Sequence, residues 1–182
     1  MNVLASKAQL RASFLRWALF LVPLVLLIGF VAGRVAGPDT AWFAGLVKPA
    51  IYPSPAAFGI VWTALFIMIG LALALVASAW GARGRGIALI AFAVQFLVTQ
   101  SWTTVFFGMQ DMQSALYVIV GSVVLLVIAL ALIWRVRRGA VWLLLPYLAW
   151  LCFAGVLNYQ FIAANPDGSA RGADGAQTRV QF

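Results

Sequence analysis

Histidine and glutamate are absent from this chain, cysteine occurs once, and the only acids are Asp39, Asp111, Asp167 and Asp174. A conventional acid–base or nucleophilic site needs a titratable group beside the reacting atoms, and none of the four aspartates falls inside a long apolar run. Ordinary hydrolytic or proton-transfer catalysis is therefore disfavoured. The single cysteine, Cys152, allows no internal disulfide and reads as packing within the last run. Charge of either sign is scarce too: 9% charged against 65% hydrophobic residues would leave too much apolar surface on a soluble domain. The solvent for most of this chain is lipid.

What the sequence does have is five apolar runs, roughly Trp17 to Ala36, Phe58 to Trp80, Ile87 to Phe107, Ala115 to Trp134 and Val141 to Ala164. At about 1.5 Å per residue, a run of about 20 residues spans a hydrocarbon core of about 30 Å. The expected fold class is all-α, an integral membrane bundle of five transmembrane helices. Short connections predict a single domain over residues 1–165, and the Gly-, Ala- and Asp-rich tail at 166–182 is expected to be disordered.

Charge is divided unevenly between the two sides of such a bundle. The N-terminus, second loop and fourth loop carry Lys7, Arg11, Arg16, Arg83, Arg85, Arg135, Arg137 and Arg138 with no acid. The other side holds Arg34, Lys48, Arg171 and Arg179 with all four aspartates. Positive-inside reasoning then predicts a cytoplasmic N-terminus and an outside C-terminus in a bacterial cell membrane, a rule with less force in an outer membrane. The run from Trp17 is long for the apolar part of a cleaved signal peptide. Although the net charge is +8, the basic residues sit at helix ends, so nucleic acid is not an expected partner.

Gly29, Gly33 and Gly37 recur every fourth residue in the first run. That spacing permits close helix packing, either inside the bundle or with a second copy, and a homodimer is the favoured expectation. The first loop, roughly Gly37 to Ala57, contains Pro38, Pro49, Pro53 and Pro55, which block a continuous helix. Trp42, Phe43, Leu46 and Val47 are spaced for one short amphipathic turn. An ordered lid is expected, with an interfacial anchor as the alternative.

Three helix faces mix aromatic rings with a few polar groups: Phe58, Trp62 and Phe66; Gln95, Thr99, Trp102 and Phe106; Tyr147, Trp150, Ala154 and Asn158. Polar groups facing lipid tails are unfavourable, so these stripes should turn inward. Inward stripes fit either ordinary interhelical hydrogen bonding or a ring-lined pocket under the lid, in which Ala154 leaves space for a flat apolar guest.

Three segments carry a resemblance: WFAGLVKPAIYPSPAAFGIVWTALF (residues 42–66), QFLVTQSWTTVFFG (95–108) and PYLAWLCFAGVLNYQFIAAN (146–165). The chain resembles the TspO/MBR family, the tryptophan-rich sensory proteins related to the mitochondrial translocator protein. It departs from the family pattern where Ala50, Ile51, Ser54 and Ala56 replace loop tryptophan or proline, and where Thr99, Thr104 and Phe66 stand at other characteristic positions. It is therefore a divergent member.

The resemblance implies an often dimeric five-helix protein binding tetrapyrroles such as protoporphyrin and haem. Carried over position by position, it implies a pocket lined by Trp42, Trp62, Phe66, Thr99, Trp102, Tyr147, Trp150, Ala154 and Asn158. Lys48 and Arg34 lie on the lid side, where they can meet propionates; anchoring among lipid headgroups is an equally open reading. Without histidine, haem iron lacks its usual imidazole ligand, so a metal-free or weakly ligated tetrapyrrole is expected and no cofactor is required. A receptor or sensor is favoured, possible transport or regulation of the ligand included. The alternatives are a light- or oxygen-dependent porphyrin-degrading enzyme and a carrier of sterol-like or other small hydrophobic molecules.

Overall fold

The computed structural model describes residues 6–166 and Gly168. Among these, the elements are α1 (Lys7–Val35), α2 (Ala41–Gly45), α3 (Pro55–Ala77), α4 (Arg85–Thr103, continued by a π-helical turn Thr104–Gly108), α5 (Met112–Val136) and α6 (Arg138–Ala164). All but α2 are long and apolar enough to cross a membrane. Apart from Pro166 and Gly168, the tail expected at 166–182 lies outside the described residues.

Helix ends follow caps more closely than they follow hydropathy. α1 starts at Lys7, well before Trp17, because Ser6 and Gln9 form a reciprocal capping box: the Ser6 amide donates to Gln9 Oε1 at 2.8 Å and Gln9 N–H to Ser6 Oγ at 3.2 Å. Ser54 caps α3 with Pro55 at its first position, and Asp111 caps α5. α3 stops at Ala77, short of Trp80, in a turn where Gly81 and Gly84 take φ of 78° and 81°. Only Arg137, extended at φ −153°, separates α5 from α6.

The five long helices form a ring in the order α1, α3, α6, α5, α4. α1 is held most loosely; its only buried residues are Ser13 and Val25. Its contact with α3 depends on missing side chains. A Cβ on Gly70 would stand 2.6 Å from Val22 Cα, and one on Gly29 would overlap the Phe66 ring. Cys152 is exposed on α6, so its expected packing role is corrected: its position turns it out of the bundle.

Two apolar cores occupy this frame. One, around Ile69, Phe92, Leu126, Leu144 and Tyr147, fills the half of the bundle far from the lid. The other, around Trp42, Phe43, Phe106, Leu157 and Phe161, joins the lid to α4 and α6. Between them the helices leave a space.

Candidate functional site

That space is a cavity of about 720 Å³ bounded by α1, the lid, α3, α4 and α6, with Ile119 of α5 behind them. Its size falls in the usual range for small-molecule sites, about 300–1,000 Å³. The walls are apolar and aromatic, with Thr63, Thr99, Gln100, Thr103 and Asn158 as polar exceptions and Arg34 as the charged one.

The roof is an ordered lid, as the proline spacing suggested. Thr40 Oγ1 accepts the Phe43 amide at 3.1 Å and starts α2. Trp42, Phe43 and Leu46 turn down and are buried, whereas Val47 stays half exposed. Phe43 is the keystone of the roof, its ring 5.0 Å from Phe107, 5.8 Å from Phe161 and 6.0 Å from Tyr52. The lid is fastened at its far end by Asn165, whose Oδ1 accepts Val47 N–H at 2.8 Å and whose Nδ2 donates to the Val47 carbonyl at 3.0 Å. Trp42 Nε1 donates to the Gly168 carbonyl at 2.8 Å.

Lys48 belongs to this fastening too. Its ammonium donates to the carbonyls of Phe43 and Leu46 and lies over the Phe43 ring. Desolvation holds its pKa below the ordinary lysine value. It does not line the cavity, which places it away from a propionate bound there. Arg34 does line it, exposed, with its guanidinium 5.1 Å from the Phe30 ring centre.

Of the nine residues expected to line the pocket, Trp62, Phe66, Thr99, Trp102, Ala154 and Asn158 reach the cavity; Trp42, Tyr147 and Trp150 do not. Each of these three stands one layer back. Trp42 packs edge-on against Phe106 at 5.7 Å; Trp150 lies behind Trp62 and Phe58 at 6.3 and 5.5 Å. Tyr147 is fully buried 6.4 Å from the Trp62 ring. They support the wall that others present.

Several polar groups near the cavity are engaged with one another, while Gln95 Oε1, Ser122 Oγ and Trp150 Nε1 are buried without a partner among the described residues. Trp102 Nε1 donates to Asn158 Oδ1 at 2.9 Å, and Asn158 Nδ2 donates to the Met112 carbonyl at 2.9 Å. The indole of Trp102 is thereby fixed, stacked 4.8 Å from Phe106. Deeper, Tyr147 O–H donates to Thr99 Oγ1 at 3.1 Å, and Gln95 Nε2 lies 2.9 Å from Thr99 Oγ1 and 3.4 Å from the Ser122 carbonyl. The interhelical hydrogen bonding and the pocket, posed as alternatives from the stripes, coexist.

The three glycines of the first run, two in α1 and Gly37 just beyond it, divide in function. Gly29 packs on Phe66, Gly37 abuts the Gly33 carbonyl, and at Gly33 an added Cβ would meet no atom within 4 Å. All three border the cavity, so their spacing serves its wall. Sequence reasoning missed Phe107, Phe161, Tyr52 and Asn165. Phe107 is off the helical stripe and comes round only through the π turn; a helix-ending asparagine beyond the last apolar run was the available signal for Asn165. Among the described residues no cluster of three metal-binding side chains occurs.

These walls come from the segments in which the chain is similar to known proteins. It is 35% identical over 147 residues to the tryptophan-rich protein TspO of Chlorobaculum tepidum, covering 80% of this chain and 93% of that one. To the tryptophan-rich sensory protein of Cereibacter sphaeroides it is 34% identical over 153 residues, 82% of this chain and 92% of that one. To the translocator protein of Homo sapiens it is 33% identical over 136 residues, 71% and 79%. The profile of the TspO/MBR family matches residues 20–163, from within α1 almost to the end of α6, and so takes in the lid and the helices around the cavity; this integral membrane protein belongs to the TspO/MBR family.

Proposed function

We propose that this protein is a membrane receptor of the sensor type that holds a flat apolar ligand, a tetrapyrrole such as protoporphyrin before any other, in the cavity under the lid. One observation carries the reading: a ring-lined space of about 720 Å³ on whose wall the Trp102 indole and the Asn158 amide are already paired within the protein. Such a space favours a guest with a wide apolar face and few polar atoms at its centre. Arg34, at the rim, suits a guest whose acid groups lie along one edge. Relatives named as sensory and translocator proteins support a role in perceiving or moving a small molecule.

Protoporphyrin IX titrated into detergent-purified protein, with tryptophan fluorescence followed in darkness and then under light, tests the proposal. Saturable quenching with no new pigment supports a receptor. New absorption bands under light support a degrading enzyme, and accumulation inside proteoliposomes supports a carrier. Absence of saturable quenching removes the reading altogether.

The same proposal places the N-terminus in the cytoplasm, on the strength of eight basic residues and no acid on that side. It also takes the working unit as a homodimer, for which the exposed apolar residues of α1, Leu15, Leu19 and Val31 among them, offer one surface. Cross-linking in native membranes distinguishes a second copy from lipid on that face.

A further inference from the structure

The residues around the cavity differ in how far they are exposed, and the difference has a direction. Those contributed by α4 and α6 are buried or half-buried, whereas the exposed ones lie along one strip of α1 (Leu27, Phe30, Gly33, Arg34), continued by Pro38 where the lid begins, and one of α3 (Pro55, Gly59, Thr63). The two helices meet closely only deeper in the bundle, where Gly29 accepts Phe66 and Gly70 accepts Val22. Nearer the lid they part: a side chain begun at Gly33 or Gly59 would find no atom within 4 Å. On its other flank α1 is tied to α4, with Thr103 Oγ1 reaching the Ala32 carbonyl at 3.5 Å. The cavity therefore has a mouth, a slit between α1 and α3.

Among the described residues the roof offers no comparable opening, Pro38 at its start being the one exposed lid residue on the cavity. Asn165 grips Val47, Lys48 ties down the carbonyls of Phe43 and Leu46, and the Phe43, Phe107 and Phe161 rings close beneath them. Opening that way would break several hydrogen bonds and expose an aromatic layer to water. The slit, by contrast, faces the surface that lipid tails cover. Its one hydroxyl, on Thr63, is already bonded to the Gly59 carbonyl at 2.7 Å, so the rim presents the bilayer with little unpaired polarity.

We infer that guests enter this cavity sideways from the bilayer, through the slit between α1 and α3, and not through the lid. The inference rests on the ligand-binding reading above and specifies the kind of guest: an amphiphile already dissolved in the membrane, apolar in its body and acidic along one edge. Arg34 marks the upper end of the α1 strip. There its guanidinium holds the acid edge at headgroup level while the apolar body slides between the helices.

The test is the kinetics of protoporphyrin IX binding to the full-length protein in liposomes. Gly59→Leu puts bulk in the slit where the structure has room, and Asn165→Ala loosens the roof. For Gly59→Leu, association and dissociation are expected to slow together by about tenfold, with Kd moving less than about threefold, the signature of an obstructed path. Asn165→Ala is expected to leave association within about twofold of wild type. Faster association in Asn165→Ala, unaltered kinetics in Gly59→Leu, or a Gly59→Leu effect confined to dissociation overturns the slit.

A wild-type protein that fails to bind protoporphyrin saturably defeats the receptor reading instead. The slit is then read without a guest, from quenching by lipids brominated on their acyl chains. Gly59→Leu must lower the quenching, because Trp62 behind the slit is shielded; equal quenching in both proteins sinks the inference.

Discussion

Asn165, which ends α6, pairs with Val47 as a neighbouring strand would, accepting its N–H at 2.8 Å and donating to its carbonyl at 3.0 Å. A further hydrogen on the same Nδ2 goes to the Phe161 carbonyl at 2.9 Å. One buried side chain thus joins the lid to the last helix across 118 positions of sequence. Asn165→Ala removes all three bonds, and a net loss of about 1–3 kcal/mol is expected. Hydrogen exchange at the Val47 amide reports it, rising by about tenfold for each 1.4 kcal/mol lost. Asn165→Asp would set a buried carboxylate oxygen against the Val47 and Phe161 carbonyls and should lose at least as much. An unchanged Val47 amide would mean that the lid is held by its aromatic underside only.

Trp102 and Asn158 form the second such link, from α4 to α6 and on to the start of α5. Trp102→Phe keeps the stacking surface but leaves Asn158 Oδ1 without its donor. Thermal stability in detergent should drop by about 1–3 kcal/mol for the unpaired buried acceptor. Trp102→Phe combined with Asn158→Leu should recover part of that loss, since both polar partners are gone. Additive losses in the double variant would show that the two residues act independently.

The inward faces were legible because helical periodicity and the cost of polar groups in lipid act on sequence directly. Phe66, Gln95, Thr99, Tyr147 and Asn158 are all buried. Depth within a face was not legible. Trp62 and Trp150 both turn inward, yet only Trp62 meets the cavity, because the two rings pack edge to face and one must lie behind. Lys48 and Arg34 looked alike on the lid side; backbone turning at Leu46 brings two nearby carbonyls to the Lys48 ammonium, a local geometry that residue spacing does not encode. The π turn that swings Phe107 under the lid breaks the period on which stripe reading depends.

Gly29 and Gly33 separate two meanings of one spacing. Gly29→Ala would push Cβ into the Phe66 ring, an overpacking expected to destabilise by about 1–3 kcal/mol. Gly33→Ala meets open space, and helix propensity should make it neutral or stabilising by up to about 1 kcal/mol. Phe66→Leu in the Gly29→Ala background should restore stability. Thermal melts of the four proteins decide the matter, and equal destabilisation at both glycines would contradict the assigned contacts.

At the other end of the lid core, Asp111 caps α5 by accepting the Ser114 amide at 2.9 Å. Hydrogen bonds from Ser114, side chain before backbone, hold its carboxyl below the usual aspartate range, with burial opposing them. A depressed folded value means the stabilisation is complete above the unfolded pKa and is lost as pH falls through the folded one. The site is exposed, so screening keeps the effect small. Asp111→Asn, which retains a capping oxygen, should flatten that acid-side part of the melting profile; an unchanged slope would assign the cap no proton linkage.

Arg34 and Lys48 offer the sharpest test of how an acidic guest is held, because they share charge and side but differ in surroundings. Arg34 is exposed at the cavity rim, while Lys48 is spent on the lid carbonyls. Arg34→Gln should weaken protoporphyrin IX by about three- to thirtyfold, roughly 0.7–2 kcal/mol for one charge-assisted contact at a partly wet site. The dimethyl ester, lacking carboxylates, should bind wild type and Arg34→Gln alike. Lys48→Met should instead act on the lid, raising amide exchange over residues 43–48 while leaving the acid-to-ester preference intact. A preference for the acid that depends on Lys48 and not on Arg34 would relocate the carboxylates to the roof and remove the reason for placing the guest's polar edge at the rim.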